Sequence, residues 1–105
     1  MPVRTGPIAY KQLTADIEKA IRKLPKEVVR VRYSFGMDST DEPAIYFRVV
    51  ISDAASREDV LFKVTSRIEK ILSEQIRPLE DWGMLAYFNF RNQSEQKELN
   101  DPDWA

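Results

Sequence analysis

Three stretches of the chain alternate apolar and polar residues with period two: Val29 to Phe35, Ile45 to Ser52 and Met84 to Arg91. Strand side chains point to opposite faces in turn, so each stretch predicts a strand with one buried face. The strands are expected over about Glu27–Phe35, Ala44–Ser52 and Met84–Arg91. Val29, Val31, Tyr33 and Phe35, then Ile45, Phe47, Val49 and Ile51, then Ala86, Phe88 and Phe90 form the apolar parity. Two other stretches repeat at helical spacing. Leu13, Ile17, Ala20, Ile21 and Leu24 predict a helix over Tyr10–Leu24, stopped by Pro25. Val60, Leu61, Val64, Ile68, Ile71, Leu72 and Ile76 predict a second, ended by Pro78. Ser56 with Asp59 three residues on predicts a capping box at its start.

The turn-rich segment Gly36–Pro43 between the first two strands predicts an antiparallel hairpin. A helix between the second and third strands predicts that those two run parallel, through a right-handed crossover. Each helix has one apolar stripe, so both belong on the same sheet face. The expected fold is a single-domain α+β two-layer sandwich of order helix-strand-strand-helix-strand. An extended arm is expected over residues 1–9, the body over 10–91, and an acidic tail with one short helical turn near Ser94–Leu99 over 92–105.

Three strands under two helices leave the other sheet face open. Its parity reads Arg30, Arg32, Tyr46, Arg48, Tyr87, Asn89 and Arg91, joined by Val50 and Leu85. Tyrosine and arginine combine contact area with directed hydrogen bonds and are enriched where proteins bind one another. The same chemistry serves single-stranded nucleic acid, where bases stack on rings and guanidinium groups meet phosphate. A solvated face, with long stems lying over the strands, is the third reading. Arginines on adjacent strands repel unless an anion lies between them, which favours some partner.

Charge narrows these readings. The chain has 16 basic and 17 acidic side chains. Residues 92–105 hold one base, Lys97, against Glu95, Glu98, Asp101 and Asp103, so a mildly basic body carries an acidic tail. No strong field steers the whole chain toward nucleic acid. There is no Gly-x-x-Gly loop, and Asp38, Asp41 and Glu42 beside the hairpin oppose phosphate. Trp104 follows Asp101-Pro102-Asp103 and either folds back into a groove of the domain or anchors a partner.

Cysteine and histidine are absent. That excludes disulfides, thiolate nucleophiles, zinc sites of the usual nitrogen and sulfur kind, and histidine acid–base chemistry. The spacing of Asp38, Asp41 and Glu42 is not that of an EF-hand, and a solvated loop is expected there. An enzyme would have to work with carboxylates, tyrosine or lysine, so no catalytic activity, cofactor or metal is expected. Asn92-Gln93-Ser94 matches a glycosylation sequon and is read as coincidental. The start Met1-Pro2-Val3-Arg4 has no apolar signal core and no run is long enough for a membrane span, so a cytoplasmic protein is expected.

Glu42-Pro43-Ala44-Ile45-Tyr46-Phe47-Arg48-Val49 and Tyr87-Phe88-Asn89-Phe90-Arg91, with Ser94-Glu95-Gln96 and the closing Pro102-Asp103-Trp104-Ala105, resemble a group of short uncharacterised bacterial proteins of the accessory or mobile-gene kind. The resemblance covers most of residues 28–105. It implies a small accessory partner protein and carries over no activity and no functional residue. The element order is also similar to part of a ferredoxin-like fold, which leaves function open. The reading from sequence is thus a non-catalytic protein-binding module, a homodimer or an adaptor- or antitoxin-like partner. Its interface would be Arg30, Arg32, Tyr46, Arg48, Tyr87, Asn89 and Arg91, with Trp104 beside them. The alternative is a single-stranded nucleic-acid binder on the same face, and the third reading is a carboxylate-based enzyme.

Overall fold

The computed structural model describes residues 7–105. The chain runs α1 (Pro7–Ile21), β1 (Val28–Met37), β2 (Pro43–Ile51), a 3-10 turn at Ala54–Ser56, α2 (Leu61–Ile76), α3 (Pro78–Trp82), β3 (Leu85–Asn92), α4 (Gln93–Leu99) and a 3-10 turn at Pro102–Trp104. The sheet order is β1-β2-β3, antiparallel between β1 and β2 and parallel between β2 and β3. This is the expected α+β arrangement.

The core lies between one face of the sheet and both long helices. Leu13, Ile17 and Ala20 of α1 meet Val64, Ile68, Leu72 and Ile76 of α2 over Val31, Ile45, Phe47, Val49 and Ile51. Each fully buried aliphatic or aromatic side chain contributes roughly 1.5–3 kcal/mol of transfer free energy. Phe47, on the central strand, stacks on Phe88 of β3 with ring centroids 5.2 Å apart. Ile68 and Leu72 are wholly buried and bring the middle of α2 into the same core.

The extended arm expected over residues 1–9 does not hold for residues 7–9, the part of it that is described. Pro7 opens α1, where a missing amide costs nothing, so residues 7–9 are helical. Residues 1–6 lie outside the described part. At its other end α1 stops at Ile21, and the chain tightens through Lys23 N–H to Ala20 O and Leu24 N–H to Ile21 O before Pro25.

β1 departs from strict alternation at one point. Val28 pairs with Ile51 and Arg30 with Val50, so the register shifts and Val29 is the extra residue of a β-bulge. Val28 therefore turns toward the core and Val29, expected inside, is 42% exposed.

α2 starts later than its sequence suggests. Ser56 closes the preceding 3-10 turn, and Val60 flanks the helix without a side-chain cap. Asp59 pairs instead with Arg57 at 3.0 Å in solvent, and Leu61 and Phe62 sit outside the apolar stripe. Arg77 ends α2 with φ 53, and Pro78, expected to end the helix, begins a new short one. Gly83 closes α3 with φ 64, a left-handed position that suits glycine, and this tucks Trp82 into the core. No helix among the described residues is long and apolar enough to cross a membrane.

Candidate functional site

The strand register lays the open face out in rows. One row runs Ser34–Tyr46–Tyr87, the next Arg32–Arg48–Asn89, and the third Arg30–Val50–Arg91. All seven residues expected on this face share it. They do not form one surface, because the tail covers the third row and reaches into the second.

The tail is held by a capping box that the sequence reading passed over. The Asn92 side chain accepts from Glu95 N–H at 2.8 Å, and Glu95 Oε1 accepts from Asn92 N–H at 3.1 Å. This starts α4 immediately after β3. Asn92 Nδ2 also donates to Ser56 Oγ at 3.0 Å. Asp53 accepts from both the amide and the hydroxyl of Ser94, which lowers its carboxyl pKa. The loop after β2 and the start of α4 therefore fix one another. The Asn92 amide of the sequon serves as a structural cap.

α4 ends at Asn100, a left-handed residue with φ 49, and the chain doubles back over the sheet. Trp104 lands on the third row and is only 7% exposed. The Arg91 guanidinium carbon sits 4.2 Å from the centre of its ring, a cation–π contact. Arg91 also donates to Gln96 Oε1 at 3.0 Å and lies 3.3 Å from an Asp101 carboxylate oxygen. Buried Gln96 returns a hydrogen bond to the Asp101 carbonyl at 2.8 Å. Arg30 donates to the Trp104 carbonyl at 2.9 Å, and Arg32 to the Ala105 carbonyl. Three of the four arginines on the face are thus engaged by a strap of the same chain. Trp104 itself folds back on the domain.

The uncovered part is built around two tyrosines. Tyr46 and Tyr87 stack with centroids 5.4 Å apart and planes 17° apart. Tyr46 leans over Gly36, where a β-carbon would meet its ring at 3.5 Å, and its hydroxyl donates to the Met37 carbonyl at 3.1 Å. The Tyr87 hydroxyl donates to Asp38 Oδ2 at 2.8 Å. Both rings are therefore fixed at their tips. Tyr87 remains 39% exposed. Arg48 turns toward this row and donates to Ser34 Oγ at 3.1 Å, which separates its charge from that of Arg32 across the strand pair. Asn89 is exposed beside it.

Asp38 is the organiser of the hairpin loop. Its Oδ1 accepts from Thr40 N–H, Thr40 Oγ1 and Glu42 N–H at 2.7–3.0 Å. The Glu42 amide, the Thr40 hydroxyl and the Tyr87 hydroxyl together pull its carboxyl down to about 2. The same contact raises the Tyr87 hydroxyl pKa. These carboxylate oxygens are committed to the loop and to Tyr87. Among the described residues, no group of three or more acidic side chains could hold a metal ion.

Gln96, Asp101 and Asp38 are the residues of this face that sequence reading missed. The signals existed: Asn92-x-x-Glu95 is a capping-box spacing, and Asp38-x-Thr40 is a spacing that lets an aspartate close its own turn. No protein-family model, characterised protein or solved structure matches the chain.

Proposed function

We propose that the protein is a non-catalytic binding module that engages another protein, as an adaptor- or antitoxin-like partner, through the part of the open face that the tail leaves free. Tyr46, Tyr87, Arg48 and Asn89 form the contact surface. The observation that carries this is the Tyr46–Tyr87 stack, with both hydroxyls hydrogen-bonded to the hairpin loop and the outer ring still exposed. Rings fixed before binding lose little side-chain entropy on contact, which is what makes tyrosine effective at interfaces. Arg48 adds one cation suited to a carboxylate across the interface.

Protein is favoured over nucleic acid by charge. Arg91 is paired with Asp101 of the strap, Arg30 and the exposed Arg32 are held by its backbone carbonyls, and an ionised Asp38 stands against Tyr87 where a phosphate would pass. The test is capture from nuclease-treated lysate with the wild type and with Tyr46→Ala/Tyr87→Ala, both checked for folding by circular dichroism. A defined protein that comes down with the wild type and is lost with the double variant is expected. Equal capture by both would remove this surface from the interaction. A catch abolished by nuclease, or salt-dependent retention of oligonucleotides, would move the assignment to nucleic acid.

A further inference from the structure

We propose that the free edge of β3 is a self-association surface, where a second copy of the chain adds its own β3 antiparallel to form one continuous six-stranded sheet. The seam is the backbone edge of β3, which shares Tyr87 and Asn89 with the patch above but does not depend on that patch binding a partner.

The two sheet edges differ in kind. β1 is bulged at Val28–Arg30, and the strap meets its arginines, both of which discourage strand addition. β3 is eight residues long, pairs with β2 in unbroken register, and has no proline, lysine or bulge. Among the described residues no strand lies on its other side. An uninterrupted edge presents alternate unpaired amides and carbonyls, which are a template for another strand.

Apolar surface lies alongside that edge. Phe62 of α2 is 82% exposed and Leu61 is partly so. With Thr65, Phe88 and Phe90 they line a cleft of about 560 Å³ between the start of α2 and the end of β3. A two-fold axis brings the start of the partner's β3 beside this end of the strand.

The β3 sequence is complementary to itself in the register that pairs most of the strand. A two-fold axis through Phe88 keeps both faces continuous. It sets Phe88 against Phe88 of the second copy, small Ala86 against large Phe90, Tyr87 against Asn89, and Leu85 against Arg91. No like charges meet, and the helix-side pairs are apolar throughout. The open faces of the two copies would then lie side by side on one sheet, each with its own tyrosine pair.

Light scattering over a concentration series tests this on four chains. The wild type is expected to reach twice 12.2 kDa, and so is Tyr46→Ala/Arg48→Ala. Leu85→Arg places arginine opposite Arg91 twice per dimer and is expected to leave a folded monomer. Leu85→Glu places a carboxylate there and is expected to keep the dimer. The register has its own readout, since the chain contains no cysteine. Tyr87→Cys mixed with Asn89→Cys is expected to form an intermolecular disulfide far faster than either variant alone, because directly opposed residues lie within bridging distance. A wild type that stays monomeric at the highest concentration reached overturns the proposal. So does a dimer kept by Leu85→Arg and lost by Tyr46→Ala/Arg48→Ala, which would move self-association to the open face. Failure of the partner capture above leaves these outcomes unchanged.

Discussion

Removing the Trp104 side chain is expected to destabilise the whole domain. Trp104 is 7% exposed, stacks on Arg91 and belongs to the strap that accepts hydrogen bonds from Arg30, Arg32 and Gln96. Truncating a buried aromatic to alanine costs about 3–5 kcal/mol in a rigid core. The strap lies at the rim of the sheet and can relax, so the cost falls at or below the bottom of that range, about 2–3 kcal/mol. Of that, about 0.5–2 kcal/mol belongs to the guanidinium–ring contact. The free energy for detaching the strap by itself caps the loss, because a strap already released has nothing more to lose. With a urea slope of about 1–3 kcal/mol per molar for a domain of this size, Trp104→Ala should lower the unfolding midpoint by about 0.7–3 M with little change in slope. Circular dichroism follows the transition. Trp104→Phe keeps most of the contact area and should fall between the two. A double-mutant cycle of Trp104→Ala with Arg91→Met should return a coupling of about 1 kcal/mol. A Trp104→Ala midpoint within about 0.3 M of wild type would show that the strap contributes nothing to stability, and the account of the third row would fail.

The bulge in β1 predicts a contrast between neighbours: Val31→Thr buries a hydroxyl at a position 8% exposed and should cost about 1–3 kcal/mol, whereas Val29→Thr should stay within about 0.5 kcal/mol of wild type in thermal unfolding. Equal costs would place Val29 in the core. The Asp38 contacts predict an acid titration well below that of a free aspartate, since its folded pKa is about 2 against an ordinary 3.8. Their stabilising effect is complete above about pH 4 and is lost as pH falls through about 2. The Thr40 and Glu42 amide resonances should report that low midpoint, Asp38→Asn should abolish it, and a midpoint near 4 would mean that the loop contacts are not made.

The period-two and helical patterns were enough to read the order of α1, β1, β2, α2 and β3, the hairpin, the parallel pairing and, apart from Val29 at the bulge, the faces of the strands. They work because one buried face per element leaves a periodic trace. Features that depend on one residue's choice of partner left a weaker trace. Ser56-x-x-Asp59 and Asn92-x-x-Glu95 both have capping spacing, yet only the second closes. Glutamate has the reach to return to the cap amide, and Ser56 is taken as acceptor by Asn92 itself. The bulge at Val29 has no composition signal, since a valine run fits either parity. The face residues were legible as a set, while the division made by the strap was not. That division depends on Asn100 adopting a left-handed turn and on Gln96 being buried, and neither is visible without the sheet beneath them.

The strap also resolves an electrostatic problem the sheet creates for itself. Arg32 and Arg48 are Cα partners on adjacent strands, with Arg30 and Arg91 on the next row. Left bare, four guanidinium groups on three short strands would repel one another and demand anions from solution. The tail supplies two backbone carbonyls, one carboxylate, one amide oxygen and one aromatic ring to three of them. The fourth, Arg48, turns away to Ser34. What remains is a patch with Arg48, the exposed Arg32 beside it, two fixed tyrosines and the ionised Asp38 at its border. Only Arg91 of the four is paired with a carboxylate, so the strap orders the guanidinium groups more than it neutralises them. The acidic tail is what divides an arginine-rich face into a row it covers and a tyrosine row it leaves open.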